Sequence, residues 1–213
     1  VAVTGVQTCA LPIYKSLYAK LPYEPEQFVP ISVVIAQPLI LVANPRVPAT
    51  SLRELLAYAK SNPGKLNLAS NGNGSNMHLS LEMLKSDAGV DITHVAYKGV
   101  PPALTDLIGG QIELMFVGLG TVLQQIKAGK VRVIAVGAEK RMAALPDMPA
   151  IAETLPGFAV SGWFGVVASP KTPTAIAERI SAAIREMVKQ PDMQKLFTEL
   201  SVDGVGKIGR AHV

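Results

Sequence analysis

Glycines and short polar side chains are concentrated in residues 70–76, which read SNGNGSN. Glycine allows the backbone to adopt positive φ and to approach a ligand closely, while Ser and Asn supply short hydrogen-bond donors. None of these residues is charged, so an anion bound here would be held by dipoles rather than by an ion pair. The candidate ligand-binding residues in this segment are Ser70, Asn71, Gly72, Asn73, Gly74, Ser75 and Asn76.

The elements on either side of this segment would place it where anions bind. Residues 66–69 predict a strand, and apolar residues at helical spacing predict a helix from about Ser75 to Gly89. The first N–H groups of a helix lack partners within the helix and carry its positive dipole end. An ordinary strand-to-helix turn, capped by Ser and Asn, is the alternative interpretation.

Two histidines and a lysine lie near this segment. His78, one helical turn after it, is a candidate ligand contact or a capping or packing residue. His94, within an apolar strand, is predicted to be a hydrogen-bonded sheet residue, and its surroundings lack the spacing of a metal site. Lys98 could attract an anion or pair with a surface carboxylate. Trp163, the only tryptophan, could line a binding cleft or anchor a strand in the core.

Strand and helix patterns alternate along the chain with short connections, which predicts an α/β fold. The apolar run 31–43, interrupted at Gln37 and Pro38, is a strand pair or one bent strand. Ser51 and Glu54 predict a capping box at the start of a helix. The remaining predicted elements are strands at 92–96, 112–117, 131–136 and 158–168, helices from 101, 119 and 191, a short helix begun by Pro149, and a long helix capped by Thr172-Pro173.

Composition excludes several classes of protein. The 213 residues are 49% hydrophobic and only 17% charged, with a net charge of +4 and no polybasic patch, so no nucleic-acid partner is expected. The longest apolar run is shorter than the roughly 20 residues that cross a bilayer. No nucleophile elbow, phosphate-binding lysine loop or metal motif is present, and Gly72-x-Gly74 is only part of a dinucleotide fingerprint. We expect neither enzymatic activity nor a cofactor or metal.

Both ends of the chain match the translation of a common sequencing adapter. VTGVQTCALPI at 3–13 corresponds to the adapter, and IGRAHV at 208–213 corresponds to part of its reverse complement. We therefore predict that residues 1–13 and 208–213 are not native. This would remove the only cysteine, Cys9, and leave 19 Lys and Arg against 16 Asp and Glu, a balance of +3.

Five short motifs, in this order, carry a family resemblance: LYAKLPYEP at 17–25, NLASNGNGS at 67–75, HVAYKG at 94–99, LTDL at 104–107 and ALPDMP at 144–149. The chain resembles the substrate-binding proteins of tripartite tricarboxylate transporters, the Bug family. The resemblance implies a monomeric periplasmic receptor that closes two α/β lobes on a small organic carboxylate and passes it to a membrane permease. The alternative is a ligand-sensing domain of a regulator with the same fold.

The family layout also implies boundaries and site residues. It assigns 14–38 and 157–207 to lobe 1 of a type II-like periplasmic binding protein, and 39–156 to lobe 2. We expect lobe 1 to be incomplete, because the family's first strand and carboxylate loop should precede Tyr14 and its closing helix should follow Lys207. The signal peptide of a periplasmic receptor is not present in this fragment. Beside the 70–76 segment, the resemblance implies binding roles for Tyr97, Lys98, Gly99 and Gly118. Many relatives carry Asp-Asn where this chain has Val117-Gly118, which favours carboxylates without an ammonium group.

Overall fold

The computed structural model describes residues 6–7, 20 and 23–207, which fall into two compact units. Unit 2 comprises Pro38–Ser161, and unit 1 comprises the residues on either side of it. The predicted boundaries at 38/39 and 156/157 lie within five residues of these divisions, and the assignment of the lobes stays a prediction. Of the segments with predicted adapter origin, only Val6–Gln7 lies among the described residues.

The described residues form eight strands and six α-helices, with 3-10 turns at Pro25–Gln27 and Ile151–Glu153. The strands are β1 (Val6–Gln7), β2 (Val29–Ala43), β3 (Asn67–Ser70), β4 (Thr93–Ala96), β5 (Leu114–Gly118), β6 (Arg132–Val136), β7 (Ser161–Ala168) and β8 (Asp203–Lys207). The helices are α1 (Leu52–Ser61), α2 (Asn76–Ala88), α3 (Val100–Gly109), α4 (Leu119–Lys127), α5 (Thr174–Met187) and α6 (Pro191–Leu200). No helix within these described ranges is long and apolar enough to cross a bilayer.

Unit 2 is built on a mixed sheet with the strand order β4-β3-β5-β2-β6. β3, β4, β5 and β6 run in one direction, and the second half of β2 runs antiparallel to its neighbours β5 and β6. Helices α2, α3 and α4 each begin just after a parallel strand ends. This alternation confirms the predicted α/β class.

The core of unit 2 lies where the helices cover this sheet. All five residues of β2 from Leu39 to Ala43 are buried. They are all apolar because both faces of this part of the strand are covered. Helix α1 buries the predicted face, formed by Leu52, Leu55, Leu56 and Ala59.

The cap of α1 differs slightly from the prediction. Ser51 Oγ accepts the N–H of Glu54 as expected. The Glu54 carboxylate, however, accepts hydrogen bonds from the backbone and hydroxyl of Thr50 instead of returning to Ser51. These bonds hold the pKa of Glu54 below its ordinary value.

Unit 1 contains the first half of β2 together with β1, β7 and β8, and helices α5 and α6. Its buried apolar cluster is small and comprises Ile31, Ala168 and Ala177. Helix α6 leaves Leu196 and Leu200 about two-fifths exposed.

The structure corrects two predicted elements and decides between the alternatives for a third. Residues 31–43 belong to one uninterrupted strand, β2, rather than to a strand pair. The strand predicted from 158 begins only at Ser161. Helix α5 begins at Thr174 after Pro173 and has no side-chain cap, so the predicted capping role of Thr172 is wrong. The hydroxyl of Thr172 lies 3.2 Å from Ser169 Oγ instead.

Candidate ligand-binding site

Three strand-to-helix connections of unit 2 meet at one edge of its sheet. β3, β4 and β5 are parallel neighbours, so their carboxyl ends lie side by side, and the connections to α2, α3 and α4 follow them. Ligands of open α/β sheets bind outside the carboxyl ends of the strands. The structure therefore brings together twelve of the thirteen predicted site residues, which lie in these connections or at the adjoining ends of the strands and of helix α2.

The loop 70–76 is ordered by hydrogen bonds among its own residues. Ser70 Oγ accepts the N–H of Gly72 at 3.2 Å, and the Gly72 carbonyl accepts the N–H of Ser75 at 3.3 Å. Ser75 caps helix α2 by accepting the N–H of His78 at 3.3 Å. Gly72 and Gly74 adopt φ of 133° and 73°, and a residue with a β-branched side chain would be strained in either conformation. The loop is therefore a defined structure that depends on its glycines.

These internal bonds reduce the number of donors that a ligand can use. The N–H groups of Gly72, Gly74, Met77 and His78 already have acceptors within the loop and the start of α2. The N–H groups of Asn71, Asn73 and Asn76 have no hydrogen-bond acceptor within the described part of the chain. Ser70 is fully buried, so it supports the loop from the interior of the protein.

Asn71 carries a further unused polar atom. Its Oδ1 is buried and has no hydrogen-bond partner among the described residues. A buried carbonyl oxygen without a partner is costly, and a bound polar group or water would satisfy it. Asn73, in contrast, is exposed at the tip of the loop.

The other two connections leave helix N-termini uncapped. Helix α3 follows Gly99, at φ 115°, and helix α4 follows Gly118, and neither glycine has a side chain to accept N–H groups of the helix. Three positive helix ends therefore converge on one edge of the sheet, and two of them have no side-chain cap. This arrangement favours a negative group.

Tyr97 ties the second connection to the first and to α3. Its N–H donates to the Ser70 carbonyl at 2.9 Å, and its hydroxyl donates to Asp106 Oδ2 at 2.7 Å. Burial, followed by the bond to Asp106, raises the pKa of Tyr97 to about 12, so the phenol stays protonated and remains a donor at neutral pH.

The two histidines contact each other and the loop. The rings of His78 and His94 stack at a centroid distance of 3.8 Å with 9° between their planes. His94 Nε2 lies 2.6 Å from Ser70 Oγ, which confirms the prediction of a hydrogen-bonded sheet histidine. Burial and, next, the neighbouring His78 lower the pKa of His94, so its neutral form is favoured. His78 Nδ1 accepts the N–H of Gly74 at 3.1 Å.

Two predicted residues have less defined surroundings. Lys98 is exposed and forms no ion pair with any described residue. Trp163 lies in unit 1, half-buried, with its ring lying against Gly165 two residues along the same strand. It does not belong to the group of residues at the edge of the unit 2 sheet.

Sequence reasoning missed Asp106 and the pairing of the histidines. Asp106 lies within the LTDL motif, but nothing local indicated that it faces Tyr97, since the two lie nine residues apart and meet only in the folded chain. His78 and His94 lie on different elements, and their contact follows from β3 and β4 pairing beneath α2. The only local signal was that both histidines flank polar loops.

Comparisons with known proteins agree with this architecture. A family described as "Tripartite tricarboxylate transporter family receptor" matches residues 3–208, a range that includes part of the segment predicted to be adapter-derived. A UPF0065 protein from the tcbD-tcbE intergenic region of Pseudomonas sp. (strain P51) is 35% identical over 208 residues. That alignment covers 94% of this chain and 61% of the relative, so the chain spans about three-fifths of the relative's length.

Two solved structures resemble the fold closely. Rpa4515 of R. palustris with adipate has a TM-score of 0.85 and 32% identity, covering 89% of this chain and 64% of that protein. The periplasmic binding protein BugD has a TM-score of 0.86 and 33% identity, covering 94% and 67%. None of these descriptions names a regulator, the alternative raised from the sequence.

Proposed function

Because the chain belongs to the tripartite tricarboxylate transporter family of receptors, we propose that it is a periplasmic solute-binding protein that captures a small organic carboxylate and delivers it to a membrane permease. Its task is capture without chemistry. The adipate in one similar structure and the periplasmic location of another support this assignment.

The observation that carries the proposal is the convergence of three strand-to-helix connections on one edge of the unit 2 sheet. In the first connection, the N–H groups of Asn71, Asn73 and Asn76 have no acceptor among the described residues. The N-termini of α3 and α4 supply further donors that no side chain caps. A carboxylate has about four lone-pair sites and accepts several such bonds at once. Each charge-assisted bond contributes roughly 1.5–3 kcal/mol.

The charges near the loop support an acid that lacks an ammonium group. The 70–76 loop contains no carboxylate, and Val117 stands where an acidic partner for an amine could have been. Lys98 is exposed at the same edge and attracts anions in a salt-dependent manner. An amino-acid ligand would find no negative group in these connections to pair with its amine.

The test is titration calorimetry on the product of the complete gene, using adipate and a panel of other di- and tricarboxylates. Asn73→Asp replaces an exposed amide at the loop with a near-isosteric carboxylate. We expect it to weaken binding about tenfold or more, because a like charge then lies beside the bound anion. The matched control is Gln111→Glu, which makes the same charge change at an exposed residue just before β5, at the opposite edge of the sheet.

Two results would contradict the proposal in different ways. If no organic acid in the panel binds the unaltered protein, carboxylate capture is wrong. If Asn73→Asp binds the acid as tightly as Gln111→Glu does, the receptor assignment stands but the 70–76 loop is not its binding surface.

A further inference from the structure

His78 and His94 form a compact link beneath the 70–76 loop. The two rings stack at 3.8 Å, and each bonds a different point of the loop: His94 contacts the hydroxyl of Ser70, and His78 accepts the N–H of Gly74. Both side chains are half-buried. His94 comes from β4, and His78 comes from α2. The loop is therefore fixed at both ends by one pair of imidazoles.

We propose that His78 and His94 are positioning residues of the loop, and that His78 holds Gly74 only while its Nδ1 carries no proton, so that the loop loosens as the pH falls. The consequence of this loosening for carboxylate capture rests on the proposed function. The effect of pH on the order of the loop does not depend on that function.

The hydrogen bond of His78 requires a specific protonation state. Because Nδ1 accepts the N–H of Gly74, it carries no proton, and the ring proton lies on Nε2, 3.8 Å from Glu82 Oε1. An imidazolium is protonated on both nitrogens and accepts nothing. Protonation of His78 would place a donor against the N–H of Gly74 and break this bond.

The bond of His94 fits a neutral ring as well. Ser70 Oγ accepts the N–H of Gly72, and its own proton can reach the Gly72 carbonyl at 3.1 Å. Its second lone pair is then free to accept the Nε2 proton of His94. All four groups are satisfied in this arrangement without a charge.

Few charged groups face the pair. On α2, Glu82 favours the protonated form of His94 and Lys85 opposes it, and these two residues also pair with each other at 3.0 Å. β3 and the loop carry no ionisable residue, and β4 carries only His94. Two stacked imidazolium rings would repel each other at this distance, which adds to the cost of protonating both.

His94 adds a second contribution to the pH dependence, because burial and, next, His78 lower its pKa. In the unfolded chain this residue takes up a proton near its ordinary pKa of 6.5, whereas the folded state resists protonation. The stabilisation is therefore complete above pH 6.5 and is lost as the pH falls toward the lowered pKa.

Amide hydrogen exchange of the full 213-residue chain, followed by NMR without ligand, tests this role. In the unaltered chain we expect the protection factors of Gly72 and Gly74 to fall at least about fivefold between pH 7.5 and pH 5.5, across the range in which histidines titrate. At pH 7.5, His78→Phe keeps a stacked ring but removes the acceptor, and should reduce Gly74 protection by about tenfold.

His78→Asn is the matched rescue variant. Its side-chain oxygen can take the place of Nδ1 but cannot be protonated, so Gly74 should remain protected at both pH values. A purely structural role for the ring would predict the opposite order, with Phe tolerated better than Asn.

Constant protection of both glycines across the pH range would overturn the proposal, as would unchanged Gly74 protection in His78→Phe. If His78→Phe does not fold, His78→Asn still decides, because pH-dependent Gly74 protection in that variant excludes His78 as the cause. The exchange measurement uses no carboxylate, so a failure of adipate to bind the complete protein would leave its outcome intact.

Discussion

At the scale of single residues, the candidate site consists of small groups held in place by buried and half-buried neighbours. Ser70 is buried, and the side chain of His94 bonds it from the adjacent strand. Asn73 and Lys98 are exposed at this edge of the sheet. Substitutions below the loop should therefore affect its order, whereas substitutions at Asn73 should affect what it binds.

Tyr97→Phe tests one of these supports directly. Removing the hydroxyl leaves Asp106 Oδ2 without its 2.7 Å partner and should lower the free energy of unfolding by about 1–2 kcal/mol in urea titrations. The control is Tyr58→Phe, since the hydroxyl of Tyr58 bonds no described residue. Equal stability losses in the two variants would contradict a specific role for the Tyr97–Asp106 bond.

The same pair has a signature at alkaline pH. The folded-state pKa of Tyr97 lies above its ordinary value of 10.0, so the stabilisation is complete below pH 10 and is lost as the pH rises toward about 12. The stability difference between the unaltered chain and Tyr97→Phe should therefore shrink over that interval.

At the scale of secondary-structure elements, the sequence predicted most of unit 2 because its segments are regular. Strands β3 to β6 are short apolar runs bounded by turn residues, and α1 and α2 have helical spacing with recognisable caps. Local patterns suffice where an element's own residues determine both its type and its ends.

The elements that were missed depend on pairing with distant residues. β8 contains Gly204 and Gly206, which disfavour strands, yet it forms because the first half of β2 provides an edge for it. β2 runs through Pro38 because its pairing with β8 ends at Ala36 and its pairing with β5 begins at Leu39. A proline is tolerated in this gap because no N–H is needed for those ladders.

Gly137 is predicted to be essential for the connection that follows β6. A β-carbon at this position would lie 2.5 Å from Val160 Cγ2 and 2.6 Å from the Leu39 carbonyl oxygen. Gly137→Ala should therefore destabilise the protein by about 1–3 kcal/mol, measured by thermal or urea unfolding. Gly109→Ala is the control, because its β-carbon would meet open space at the end of α3, and it should be neutral or slightly stabilising. Similar behaviour of the two variants would show that the close approach at Gly137 is not constraining.

At the scale of the whole molecule, the two units differ in how much apolar surface they bury. The cluster of unit 2 draws on its central strands and on α1 to α4, whereas that of unit 1 has three buried members, Ile31, Ala168 and Ala177. Burial of apolar surface is the main source of stability, at roughly 25 cal/mol per Å². Unit 2 is therefore the more stable of the two.

Native-state hydrogen exchange should resolve this difference. We expect amides of β3 and β5 in unit 2 to show the highest protection, and those of α5 and β8 in unit 1 to exchange at least about tenfold faster. The comparison is made within one sample, so it needs no variant. Uniform protection across the described strands would mean that the chain unfolds as a single cooperative body.

Unit 2 is one continuous stretch, Pro38–Ser161, placed between the two segments of unit 1. A ribosome would therefore deliver all of unit 2 before it has produced any of β7 or β8. During that interval the first half of β2 has no partner from the later segment, and Val33 has not yet met its partner Lys207. An unpaired strand recruits other strands, so a nascent chain is exposed to misassociation at β2 until β8 has been made.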